Sequence, residues 1–250
     1  MRSSAAALLL ALSLGSAHGA QRALDEVPSA MVRAREAVQS IVPPAPLVPE
    51  QVSDAAVAHI IRWEITSARH YEERLRWPVW PGGASGITWC VGYDGGHQTP
   101  AVIGRDWAKH YAVQRLSTTA GITGQDARAV LSRYRDITTP YSYCEQVFRA
   151  VTLPAYHRLA KRTFSNGWDR LPPDAQGSLT ATVYNRGASM AGSRRSEMRA
   201  LRDVCVPAAD VACMARQYRS MCRLWRGTVN ETGLCNRYED AARLAEGRAR

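Results

Sequence analysis

Six cysteines, at positions 90, 144, 205, 213, 222 and 235, constrain the fold of this 250-residue chain more than any other feature. They follow an N-terminal stretch, MRSSAAALLLALSLGSAHGA, in which a lone Arg2 precedes a short apolar run and then small residues around Ala17, Gly19 and Ala20. That is the layout of a signal peptide, and the run is too short for an ordinary membrane span. The two readings are a cleaved signal over residues 1 to 20 and an uncleaved anchor that later leaves the membrane. An even cysteine count behind an export signal implies three disulfides in an oxidising compartment, periplasmic or extracellular. No pair has CxxC spacing, which argues against a zinc site or a thioredoxin-type motif. Fifteen pairings are possible on paper. Cys222 with Cys235 would close a helix–loop–helix junction, Cys205 with Cys213 is similarly local, and Cys90 with Cys144 then remains.

Residues 21 to 51 hold Pro43, Pro44, Pro46 and Pro49, and read as a spacer with a short helix near 28 to 39. The folded domain is expected over residues 52 to 250. Ser53 is placed to cap a helix from Asp54. Residues 77 to 86 carry two prolines and three glycines and read as a loop. Residues 87 to 93 read as a strand, and Asp94-Gly95-Gly96 as a turn. Beyond it helical periodicity dominates, with helices expected near 104–116, 124–135, 142–163 (broken at Pro154), 173–185, 194–204, 207–223 and 231–246. The lack of strand–helix alternation argues against a parallel sheet. The expected class is α+β and mostly helical, with a small antiparallel β region near the start of the domain and a helical C-terminal lobe.

The net charge is +10. On an exported chain this suits anionic cell-envelope polymers. The basic residues are scattered, and no nucleic-acid motif is present. Trp (7) and Tyr (10) are plentiful while Phe is scarce (2); such rings line carbohydrate clefts, but each serves equally well in a core.

One carboxylate sits where carboxylates are disfavoured. Val57, Ile60 and Ile61 form an apolar stripe at i, i+3, i+4, and Glu64 at i+7 continues it. Burial and the negative end of the helix dipole would both raise its pKa, as a glycosidic general acid requires. The plain alternative is a Glu turned to solvent or paired with Arg62 or Arg69. Downstream, Thr88 and Asp94 lie six residues apart on the expected strand and therefore on one face. A hydroxyl and a carboxylate there are candidates to hold a water. The alternative for Asp94 is a turn residue bonding its own backbone. The glycine-rich loop before them lacks a GK[ST] ending, which excludes a phosphate-binding loop of that type.

A helix-borne Glu64, then a glycine-rich loop, then Thr88-x-x-x-Gly92-Tyr93-Asp94-Gly95, resembles the phage-type lysozyme superfamily, most closely its pesticin-like muramidase branch. Ala181-Thr182-Val183-Tyr184-Asn185-Arg186-Gly187 resembles that group's helix ending in an Asn-x-Gly turn. Arg195-Ser196-Glu197-Met198-Arg199 resembles the segment after it. Trp225 and Gly233-Leu234-Cys235-Asn236-Arg237-Tyr238-Glu239-Asp240 resemble the approach to the closing helix and the helix itself. Together these span about residues 55 to 245. The resemblance implies a lysozyme-like fold and hydrolysis of the β-1,4 bond between N-acetylmuramic acid and N-acetylglucosamine in peptidoglycan. Glu64 would be the general acid, with Thr88 and Asp94 positioning the water. Tyr93, His97 and Gln98 beside the turn, and Asn185 and Arg186 from the helical side, are the candidate substrate contacts; the alternatives are a solvated His97, Asn185 as the cap of the helix end, and Arg186 paired with a surface acid. No metal or cofactor is implied, and the protein is expected to act as a monomer. Many phage lysozymes carry an Asp six residues before the Thr; that position here is Gly82, and Ala84 also lacks a carboxylate, so Asp94 stands alone. Cys90 replaces a usual glycine, and Tyr238 a usual second Arg. Lytic transglycosylation, and wall binding with weak catalysis, are the alternative activities.

Overall fold

The computed structural model describes residues 52–249. The expected signal segment and proline-rich spacer lie outside the described residues. The domain is built from α1 (Asp54–Ile65), α2 (Ala68–Arg74), β1 (Thr88–Trp89), β2 (Tyr93–Asp94), α3 (Pro100–Asp106), α4 (Val113–Ser117), α5 (Gly124–Val130) and α6 (Tyr141–Val147). It continues with α7 (Leu153–Thr163), α8 (Pro173–Arg186), α9 (Ser196–Ala200), α10 (Val211–Ser220) and α11 (Glu231–Ala245). The molecule is mostly helical, with one small two-stranded antiparallel sheet among the described residues.

Helix α1 starts as the sequence predicts: the Ser53 side chain accepts from the Ala56 N–H at 3.2 Å, and Asp54 lies in the positive first turn. It ends at Thr66, whose φ of 68° breaks the helix. The central helix is α8, entered through Pro173 and stopped by Gly187 at φ 74°. It is buried on nearly every side, and its hydroxyls are satisfied internally: Ser178 Oγ donates to Ala175 O and Thr182 Oγ1 to Ser178 O. Gly177 lets it cross α1 closely, since a Cβ there would come within 2.3 Å of Ala56 Cβ.

Several expected elements are subdivided. The expected strand over 87 to 93 is instead a tight hairpin, with Thr88 opposite Asp94 and Trp89 opposite Tyr93. The turn between them uses Cys90 at φ 58° and Gly92 at φ 74°. The left-handed backbone at Cys90 is a conformation that glycine adopts far more readily than a residue with a side chain. The expected helix 104–116 starts earlier, at a Thr99 cap with Pro100 in its first turn, stops at Asp106 and resumes at Val113. Pro154 does not break its helix; the preceding turn, Phe148–Thr152, widens to a π-turn in which the Leu153 N–H reaches Phe148 O. That removes the clash a proline ring makes with the carbonyl four residues back. The 124–135 helix tightens to a 3₁₀ turn after Val130, and the 194–204 segment runs from 3₁₀ through α to π. The helix expected from 207 begins only at Val211, where Asp210 caps it through the Cys213 N–H at 2.8 Å.

Two apolar clusters result. The larger packs α1 and α2 against α6 through α11, and includes Ile60, Tyr71, Phe148, Trp168, Leu179, Tyr184 and Tyr218. The smaller gathers Trp89, Tyr93, Ile103, Trp107, Leu116 and Ile137 around the hairpin. Cys90 packs against both, and Tyr184 donates its hydroxyl to Val91 O, so the hairpin turn is anchored to the larger cluster.

All six cysteines are paired: Cys90–Cys144, Cys205–Cys213 and Cys222–Cys235, with no free thiol. These are the pairings the local-closure reading favours. Alkylation of the native protein without reductant is therefore expected to add no mass, and two reactive thiols would contradict the pairing. Replacing Cys90 and Cys144 together with alanine should cost about 2–4 kcal/mol, because this bond closes a 54-residue separation and joins the two clusters. Denaturant titration of the double variant measures it.

Candidate functional site

Glu64 lies in the last full turn of α1, with its side chain 16% exposed. Its Oε1 accepts from the Arg237 guanidinium of α11 at 2.8 Å. The partners considered from sequence are occupied elsewhere: Arg62 pairs with Asp240 at 3.4 Å, and Arg69 with Glu73 at 2.8 Å. Arg237 is the residue that sequence reasoning left without a role. It lies 173 residues from Glu64, inside the Gly233-to-Asp240 motif that marks the closing helix. Itself buried, it fixes the carboxylate's direction while leaving part of the carboxyl open to solvent.

The hairpin brings Thr88 and Asp94 together as cross-strand partners. They share a face, as expected, but by pairing across two strands rather than along one. Asp94 is fully buried. Both of its oxygens accept from the Gly86 N–H, at 3.0 and 3.1 Å, and Oδ1 also accepts from the Gly96 N–H at 3.1 Å. Its Oδ2 lies 3.8 Å from His97 Nε2. The carboxylate therefore clamps the glycine loop onto the 3₁₀ turn Gly95–His97. The Thr88 hydroxyl, also buried, donates to Gly86 O at 3.2 Å. Gly86 is required at the centre of this knot: a Cβ there would come within 2.4 Å of Gly96 Cα and 2.6 Å of Asp94 Oδ1. Gly86→Ala should cost about 1–3 kcal/mol through overpacking. Gly104→Ala, where a Cβ meets nothing within 4 Å, should be neutral or stabilising. Thermal denaturation of the two variants compares them.

The candidate substrate contacts divide by exposure. Tyr93 is turned into the smaller cluster, beside Trp89 and Trp107, and donates its hydroxyl to Asp106 at 3.0 Å. Burial, together with Asp106, raises its phenol pKa strongly. Gln98 is buried and donates to Asp94 O at 3.3 Å. His97 is half-buried, with Nε2 3.1 Å from Ala84 O. Asn185, one residue before the end of α8, is half-buried. Among the described residues Arg186 pairs with no acid. It donates to the Tyr238 hydroxyl at 2.8 Å and to Arg194 O at 2.6 Å. Tyr238 thus ties the turn after α8 to α11. Arg195 donates to Arg186 O in return, and burial followed by the charges of Arg186 and Arg194 lowers its pKa to about 10. Arg194 lies over the Trp225 ring, 5.2 Å from its centroid.

Three tryptophans, Trp89, Trp107 and Trp168, are core residues. Trp77 and Val79, before the glycine loop, are exposed. Among the described residues no group of three or more His, Cys, Asp or Glu side chains is placed to hold a metal ion, and no helix is long and apolar enough to cross a membrane. No protein-family model matches the chain, and no curated protein matches it.

Proposed function

We propose that this protein is an exported muramidase, with Glu64 as the acid that protonates the leaving glycosidic oxygen. The observation that carries the reading is Glu64 itself: a half-buried carboxylic acid at the end of a core helix, aimed by a buried arginine and still reachable from solvent. A general acid needs that combination of restricted solvation and access. The mostly helical α+β architecture with a small hairpin, and the placement of Thr88 opposite Asp94, support it further. The three disulfides and the +10 charge suit a protein that works outside the cytoplasm on an anionic envelope.

In this reading Asp94 and Thr88 hold the water on the opposite sugar face. The commitment of Asp94 to backbone donors gives one alternative specific support. A lytic transglycosylase needs the acid but no activated water, and would use Asp94 only to shape the loop. Binding to the wall with weak catalysis is the remaining reading. A suspension of purified peptidoglycan decides whether the chain is catalytic at all. Its turbidity should fall when the protein is added, whereas binding without clearing would identify a wall-binding protein.

A further inference from the structure

A second face of α1 lines a cleft of about 410 Å³ that Glu64 does not line. Ala55, Ala58, His59 and Arg62 follow one another at helical spacing along it, and the two alanines leave the room. The opposite walls come from α6 and its π-turn, with Glu145 and Arg149, and from α11, with Asp240 and Arg243. The volume lies in the range of small-molecule sites.

We propose that this cleft binds a small carboxylate ligand, held by Arg62 and His59. His59 is only 8% exposed, yet it lines the cleft. A neutral imidazole on a cleft wall has one ring N–H to offer a ligand's oxygen. Burial first, then the guanidinium charges of Arg237 and Arg62, push its pKa down to about 3, so the ring is neutral and the potential around it is positive. A neutral imidazole donates one N–H to an anion, and a cation is disfavoured there. Arg62 has its side chain 57% exposed, and among the described residues its one ion pair is the 3.4 Å contact with Asp240, leaving guanidinium donors for a ligand.

The other charges in the cleft are engaged. Glu145 accepts from Arg149 at 2.9 Å, and Arg243 donates to Glu239 at 3.1 Å. One available guanidinium fork beside one imidazole donor matches a planar, singly charged group with two oxygens. A doubly charged phosphate would be set against Asp240 and Glu145. The inference does not rest on the role of Glu64.

Titration with N-acetylalanine tests it, with N-acetylalaninamide and inorganic phosphate as comparisons. The readout is the His59 ring resonances, assigned from their absence in His59→Leu. N-acetylalanine should shift them saturably and the neutral amide should not. Arg62→Gln, at a largely exposed position, should fold normally and weaken binding at least about tenfold. The proposal is overturned if N-acetylalanine gives no saturable shift, if the amide binds equally well, if phosphate binds more tightly, or if Arg62→Gln leaves the affinity unchanged.

Discussion

Glu64→Gln is expected to remove peptidoglycan hydrolysis, lowering the rate by at least the hundred- to ten-thousand-fold that general acid catalysis contributes. Glutamine keeps the shape of the side chain but has no acidic proton to give the leaving oxygen. Its amide oxygen still accepts from Arg237, so the contact between α1 and α11 survives in neutral form. The stability cost is then on the order of 1 kcal/mol, about 2–4 °C in Tm for a domain of this size. Loss of activity in a folded variant assigns the chemistry to Glu64. Clearing of peptidoglycan at the parent rate would remove Glu64 from the site.

The second large effect is expected at Asp94. From sequence alone, Asp94→Asn is expected to lower turnover at least about a hundredfold with little change in stability. The structure changes the second half of that expectation. Asp94 is fully buried and accepts from the Gly86 N–H through both oxygens and from the Gly96 N–H through one. Asparagine replaces one of those acceptors with a donor facing the Gly86 N–H and removes the charge that strengthens the remaining bonds. Hydrogen bonds to charged groups contribute about 1.5–3 kcal/mol, so the variant should lose stability on the order of 2 kcal/mol. The informative quantity is activity per folded molecule. A hundredfold loss there keeps Asp94 in the reaction. A lower melting temperature with unchanged specific activity makes it the clamp of the glycine loop alone, and the chemistry then rests on Glu64.

How far the sequence could be read depended on the range of the interaction. Ser53 before Asp54, and Gly187 after α8, announce helix ends through local hydrogen bonding and backbone freedom, and both are found where expected. The cysteine pairs were legible because two of them close short loops of 8 and 13 residues. The hairpin was not, because seven residues with a strand-like pattern do not reveal a left-handed Cys90 in their middle; that conformation is stabilised by the bond to Cys144 and the anchoring of Val91 by Tyr184. The π-turn before Pro154 was equally hidden, since the pattern locates a proline but not how the preceding turn accommodates it. At the site, the i+7 position of Glu64 on an apolar stripe was visible from one helix. Its partner Arg237 was not, because nothing local to α1 records which residue of a helix 173 positions away will face it. The commitment of Asp94 to the Gly86 N–H is similar: the Asx-turn reading covers the Gly96 bond two residues on, but not the closure of the loop eight residues back.

Mass analysis of the soluble fragments released from purified peptidoglycan tests the proposed activity most directly. Hydrolysis by the wild-type protein should give muropeptides with a reducing N-acetylmuramic acid end, each carrying one added water, and Glu64→Gln should release none. Fragments ending in the anhydro sugar, one water lighter, would contradict hydrolysis and identify a transglycosylase. Release of no fragments by the folded wild-type protein would contradict the enzymatic reading altogether.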